Sequence, residues 1–281
     1  MKGYVHMTGQ VFKLEDLKIR PVGVYLYVPP IVWKGDTVGH IGGSDLFFWV
    51  LEGECFLQID SENYIIRPGQ LAYLPKGKMR AYTHASERFS MYEMAFDVKA
   101  NGREIMEVLG LTEGNYVIDI PDIEKMSSLF ESSHRKELYK NPLYDVAWCA
   151  NIINIIRIYA EERQKQGGEE SIIFKPVLDC MSKNIDKTLT TEALASLVYM
   201  QPTYFIKKFK NIYGIPPIAY FNRMKMYKAM GMLSGTELTI EQISKEIGIF
   251  DTSYFARVFK KHCGVTPTEY RAEFKKNRLN K

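Results

Sequence analysis

The chain has 281 residues, of which 46% are hydrophobic and 25% charged, with a formal net charge of +4. That length accommodates two domains, and the longest apolar runs, 46–51 and 152–156, fall far short of the roughly 18 residues a membrane span needs. The charge is divided unevenly: residues 172–281 carry +9 and the first 171 carry −5, which points to a polyanion partner for the basic part.

Lys13, Glu15 and Asp16 interrupt the first 17 residues, so no signal peptide is expected. Cys55, Cys149, Cys180 and Cys263 lie far apart with no CxxC. They read as reduced thiols of a cytoplasmic protein, not as a disulfide framework or a zinc site.

Residues 20–98 read as β-structure. The runs 22–27, 46–51, 55–59, 64–66, 71–74 and 89–96 are rich in β-branched and aromatic residues. Turn signals separate them at Gly42-Gly43, Glu52-Gly53, Asp60-Ser61, Pro68-Gly69 and Lys76-Gly77. Strands so short and closely spaced predict a small antiparallel barrel or sandwich.

Residues 122–166 read as two helical pieces broken at Asn141-Pro142, because the residue before proline disfavours the helical conformation. In the second piece the strongly polar residues between 146 and 160 are Asn151, Asn154 and Arg157, three apart on one stripe. A helix this apolar is buried on more than one side, against its own chain or against a second copy in a homodimer.

The polar, glycine-bearing stretch Gln166-Gly167-Gly168-Glu169-Glu170-Ser171 marks a domain boundary, and the chain beyond it reads as helical to the end. A repeat lies there. Tyr204-Phe205, Phe209-Lys210, Gly214, Pro217 and Tyr220 recur 50 residues later as Tyr254-Phe255, Phe259-Lys260, Gly264, Pro267 and Tyr270. Short helices at 191–198 and 240–247 precede the copies, the second with a capping-box pair, Thr239 and Gln242. Each unit is thus a helix, a turn and a second helix.

Phenylalanines at i and i+4 pin each second helix inward. Its other face holds Thr203, Ile206, Lys207 and Lys210 in the first unit, and Thr252, Ser253, Ala256, Arg257 and Lys260 in the second. Small polar and cationic groups on an exposed helix suit the major groove of double-stranded DNA. A helix over 217–233 joins the units and spans about 25 Å, less than the 34 Å of one DNA turn, so a bent duplex is one way for both to enter.

Residues 173–275 resemble the AraC/XylS-type regulator domain, whose second motif runs I-A-x-x-x-G-F-x-x-x-S-Y-F-x-x-x-F-K-K-x-x-G-x-x-P-x-x-Y-R. The chain has Ile243-Ser244, Gly248-Ile249, Ser253-Tyr254-Phe255, Phe259-Lys260-Lys261, Gly264, Pro267 and Tyr270-Arg271 in register. Ser244 and Ile249 depart from it at packing positions. Gln201-Pro202 stands where the family has Ser-Pro, and Gln is a poor helix cap. Ile206 takes a position where the family has a polar base-reading side chain, which directs the first unit toward thymine methyls or shape fit.

Residues 36–98 resemble the cupin-like barrel that many members carry as an effector domain, through 49–54 (Trp49 to Glu54), Ile66-Arg67-Pro68-Gly69-Gln70 and Leu74-Pro75-Lys76-Gly77. A metal cupin is not expected. Arg80 replaces the second-motif histidine, and of the first-motif ligands only His40 has a match, Gly42 and Leu46 holding the other places. No cofactor is implied. A lumen for a small molecule remains, with Tyr25, Trp33, Trp49, Tyr73, Tyr82, Tyr92 and Glu93 as candidate lining and Arg80 and His84 at the mouth. Core filling is the competing reading of the same aromatics.

The sequence therefore predicts an α+β, two-domain chain. Residues 1–166 form a cupin-like antiparallel β-barrel with a helical dimerisation segment, 167–172 a linker, and 173–275 an all-α double helix-turn-helix domain with a linker helix. The resemblance implies a dimeric cytoplasmic transcription activator, not an enzyme, with DNA, a sugar or organic acid, and in that role RNA polymerase as partners, and no membrane. The alternative is a regulator without effector whose barrel serves only in dimerisation.

Overall fold

The computed structural model describes all residues except 1–3, 8–9, 30–39, 61, 85–87, 114, 136–142, 167–172 and 280–281. The layout is α+β: strands predominate among the described residues up to 120, interrupted by one short helix, and helices follow. The strands are β1 (Tyr4–Met7), β2 (Gln10–Lys13), β3 (Leu17–Tyr27), β4 (His40–Ile41), β5 (Asp45–Glu52), β6 (Cys55–Ile59), β7 (Glu62–Ile66), β8 (Gln70–Leu74), β9 (Met79–His84), β10 (Ser90–Ala100), β11 (Arg103–Glu104) and β12 (Val117–Asp119). β1, β2, β4, β9, β11 and β12 lie outside the runs expected from the sequence, and β3 begins five residues earlier than its run.

Apart from the β1–β2 hairpin, the strands form two sheets. The larger has the order β11-β10-β5-β8-β12, with β3 also on β10; the smaller has the order β4-β9-β6-β7. All pairings are antiparallel. Phe48 of β5 meets Tyr82 of β9 edge-on at 4.8 Å, which places the two sheets face to face.

The helices are α1 (Ile105–Val108), α2 (Ile123–His134), α3 (Tyr144–Gln166), α4 (Lys175–Lys183), α5 (Thr191–Ser196), α6 (Pro202–Tyr213), α7 (Pro217–Gly235), α8 (Ile240–Glu246), α9 (Thr252–Cys263) and α10 (Pro267–Leu279). No described helix is long and apolar enough to cross a membrane. The expected break at Asn141-Pro142 lies outside the described residues.

α2 and α3 cover the outer face of the larger sheet. Because the inner face is covered as well, the first six residues of β5 are all buried, and the in–out alternation of a half-exposed strand vanishes. Asn151, expected on a polar stripe, instead donates to Ser132, Ser133 and the Leu129 carbonyl of α2. Val146, in the first turn of α3, is 64% exposed.

The smaller sheet turns its outer face to the C-terminal helices. Phe56 and Ile65 belong to their apolar core, and Phe56 stacks on Tyr227 of α7 at 4.5 Å and 15°. Polar contacts frame this seam. Glu54 lies between Arg67 and Arg223 of α7, Asn63 donates to Ser182 of α4, and the Tyr220 hydroxyl donates to the Asn63 carbonyl. Burial pushes the Glu54 carboxyl up, but Arg223 and Arg67 together outweigh it and hold the group below its ordinary range.

Candidate DNA interface

Each reading unit is built from the inside out. In the first, Phe205 and Phe209 are fully buried and pack with Phe174, while Phe209 meets Tyr220 edge-on at 5.6 Å. In the second, Phe255 and Phe259 are fully buried, and Phe259 meets Tyr270 edge-on at 5.7 Å. The repeat seen in the sequence is thus a repeat of packing: a phenylalanine pair on one helix and a tyrosine on the next.

Inward pinning leaves the opposite faces in solvent. Thr203, Ile206, Lys207 and Lys210 are exposed on α6, as are Ser253, Arg257 and Lys260 on α9. Thr252 and Ala256 are half-buried, so the open face of α9 is narrower than the sequence suggests. The Arg257 guanidinium lies 5.6 Å from the ring centroid of Tyr254, three residues before it, and the Lys208 ammonium 5.9 Å from that of Tyr204, four residues before it.

The upstream helices repeat with a different offset. Met200 N–H bonds the Ala195 carbonyl and Tyr199 N–H the Ser196 carbonyl; in the second unit Ile249 bonds Ser244 and Gly248 bonds Lys245. These pairs are 49 apart, whereas the recognition helices are 50 apart. The second turn therefore contains one additional residue, Phe250. The left-handed position that ends the first helix of each unit is Tyr199 at φ 54° and Gly248 at φ 69°.

Helix α7 ties the units together. Its Lys225 is buried, and its ammonium donates to the Lys187 carbonyl after α4 at 2.8 Å and to the Ile247 carbonyl after α8 at 2.7 Å. Burial lowers the pKa of this lysine, and the two carbonyls replace the lost water. With 19 residues α7 is about 28 Å long, two residues longer than the sequence pattern suggests. The capping box at Thr239 and Gln242 forms as expected, and Gln201 makes no side-chain cap. Ser244 is fully buried and donates to the Ile249 carbonyl, which fits both family departures as packing positions.

The residues suggested for a lumen separate into two groups. Trp49, Tyr73 and Tyr92 do not face it. Trp49 donates to Ser127 and stacks on Phe130 of α2, Tyr92 stacks on the same Phe130, and Tyr73 packs on Tyr159 of α3 with its hydroxyl on Asp45. They lie on the sheet face that the two helices cover, one side-chain parity away from the inner face. Tyr82, which meets Phe48, lies between the sheets. Glu93 pairs with Phe48, and Arg80 and His84 alternate with Tyr82 along β9, so all four share the inner side. Arg80 donates to the Ser44 and Leu74 carbonyls. Tyr25 is exposed, and Trp33 and the His40 side chain lie outside the described residues. Among the described residues no group of three His, Cys, Asp or Glu could hold a metal.

The family model for a helix-turn-helix domain matches residues 194–273. This stretch begins within α5 and contains the rest of the first unit, the rod and the second unit. The C-terminal helices are an AraC-type helix-turn-helix domain. Over 260 residues the chain is 24% identical to the HTH-type transcriptional regulator YdiP of Escherichia coli, covering 86% of this chain and 83% of that one. It is 24% identical over 278 residues to the lactose operon transcription activator of Staphylococcus xylosus, covering 94% and 95%. The regulatory protein PocR of Salmonella typhimurium is 36% identical over 103 residues, 37% of this chain and 34% of its own. The AraC-type domain makes the chain a transcriptional regulator with a DNA-binding helix-turn-helix part.

Proposed function

We propose that the chain is a homodimeric transcription activator that reads DNA with α6 and α9 and responds to a sugar or organic acid held between its two β-sheets. Residues 1–166 serve effector binding and dimerisation, 167–172 link, and 173–275 bind DNA. The observation that carries this reading is one cationic face presented twice: Lys207 and Lys210 on α6, Arg257 and Lys260 on α9, each opposite a buried phenylalanine pair. Thr203, Ile206 and Ser253, near the helix N-terminal ends, meet base edges, with Thr252 and Ala256 at the margin; the lysines meet phosphates. Arg257 takes guanine, and Arg257→Ala costs about 1–3 kcal/mol of specific binding.

The effector and activator roles draw support from near full-length similarity to a lactose operon activator. Arg80, Tyr82, His84 and Glu93 are the polar groups on the inner side available to such a ligand. Dimerisation uses the start of α3 around the exposed Val146. A second reading, sheets without effector, is favoured by the use of Trp49, Tyr73 and Tyr92 as core. Two measurements separate the outcomes. Full-length protein should bind a duplex it selects from a random library well above a scrambled duplex at physiological salt; equal affinity defeats the DNA reading. A panel of sugars and organic acids should raise the melting temperature and change operator affinity; no shift from any of them favours the second reading.

A further inference from the structure

Tyr199 and Phe250 are 99% and 79% exposed, the two most exposed large apolar side chains among the described residues. Both stand in the turns of the reading units. Tyr199 lies three residues before α6 begins at Pro202, and Phe250 two residues before α9 begins at Thr252. Neither side chain is packed into the fold. Tyr199 occupies a left-handed backbone position at φ 54°, where the second unit has Gly248, so a side chain is kept where glycine would be relaxed. Phe250 is the one residue by which the second turn exceeds the first, and its ring is not packed into the core.

The surroundings say what meets these rings. The N-terminal end of a recognition helix enters the major groove, so the turn leading into it rides at the groove's lip, beside the sugar-phosphate strand. The exposed Lys207, Lys210, Arg257 and Lys260 of the same helices supply the charge complement for that strand. We propose that Tyr199 and Phe250 are paired DNA contacts outside the helices. The Tyr199 hydroxyl donates to a backbone phosphate oxygen, and the Phe250 ring packs on a deoxyribose or a thymine methyl at the groove edge. This assignment rests on the DNA reading above and adds one uncharged anchor to each head.

The test uses the full chain and a duplex that the unaltered protein has selected from a random library. Tyr199→Phe, which removes only the hydroxyl, should weaken binding about three- to tenfold. Tyr199→Gly should raise the melting temperature by relaxing the backbone and yet weaken binding at least as much. Phe250→Ser should weaken binding by roughly tenfold at unchanged melting temperature. Because neither side chain is charged, the slope of log affinity against log salt should stay that of the unaltered protein, whereas Lys207→Ala or Lys260→Ala flattens it by about one ion. Affinity within twofold of the unaltered protein for Tyr199→Gly, for Phe250→Ser or for both overturns the paired assignment, and an unchanged pair points to a protein partner instead. An unaltered protein that selects no duplex defeats the underlying DNA reading, a different result read from the same first step.

Discussion

The first recognition helix starts at Gln201 without a side-chain cap and ends with Arg67 of β7's following turn donating to its Tyr213 carbonyl at 2.6 Å. The second starts on Asp251, whose carboxylate accepts from Tyr254 N–H at 3.0 Å, and its closing Gly264 has open space around it. Its upstream helix also carries the capping box. The first recognition helix is thus tied at its end to the N-terminal sheets, whereas the second is capped by its own sequence and meets the same sheets through His262, beside Glu54, and through Tyr270 of the next helix, beside Thr83. A change in the sheets that moves Arg67 acts directly on the end of α6, and one that moves Glu54 acts on α7 through Arg223. Two copies of one motif can therefore divide stability from responsiveness.

The largest effect expected is at the point where both heads are joined. A Cβ on Gly248 would sit 1.9 Å from the Asp186 carbonyl oxygen, in a left-handed backbone. Gly248→Ala should cost about 3 kcal/mol or more in urea unfolding, against roughly 1 kcal/mol for Gly264→Ala, which has the same handedness but no neighbour. Comparable losses would remove the special role of the joint. Lys225→Met, which strands the buried Ile247 carbonyl and the part-buried Lys187 carbonyl, should cost about 2–3 kcal/mol.

The external brace comes next. Arg67→Ala should cost about 1–2 kcal/mol and speed amide exchange in the last turn of α6 while leaving α9 unchanged. Equal acceleration in both helices would contradict the asymmetry. The brace also has a pH signature. The Glu54 carboxyl is held below its ordinary value of 4.5, so its contribution is complete above that pH and is lost as pH falls through the depressed value. Glu54→Gln should weaken the seam near neutrality and flatten that acid limb. The caps give the smallest changes: Asp251→Ala should destabilise by about 1 kcal/mol, and Gln201→Ser should stabilise α6 by about 0.5–1 kcal/mol.

The helical part was legible in the sequence because its signals are local. Phenylalanines four apart, Thr239 with Gln242, and glycines closing helices each act within one or two turns. The residue that escaped was Phe250, because the 50-residue repeat was set by the recognition helices and a one-residue difference upstream leaves it intact. The sheets were less legible. Alternation fixes which side chains share a face, not which face is the inner one, and β5 is buried on both sides, so Trp49, Tyr73 and Tyr92 gave no sign that they belong to the α2–α3 side. β9 was missed because Met79, Arg80, Ala81 and His84 dilute its β-forming residues, Tyr82 and Thr83, although its inner positions, Arg80, Tyr82 and His84, alternate regularly.

The central claim is that α6 and α9 enter one duplex together, held about a rod's length apart by α7. Hydroxyl-radical footprinting of the full chain on its selected duplex tests it most directly. Two protected tracts about 10 base pairs apart on one face of the DNA are expected for each copy; a single tract per copy, or protection on opposite faces, would contradict it.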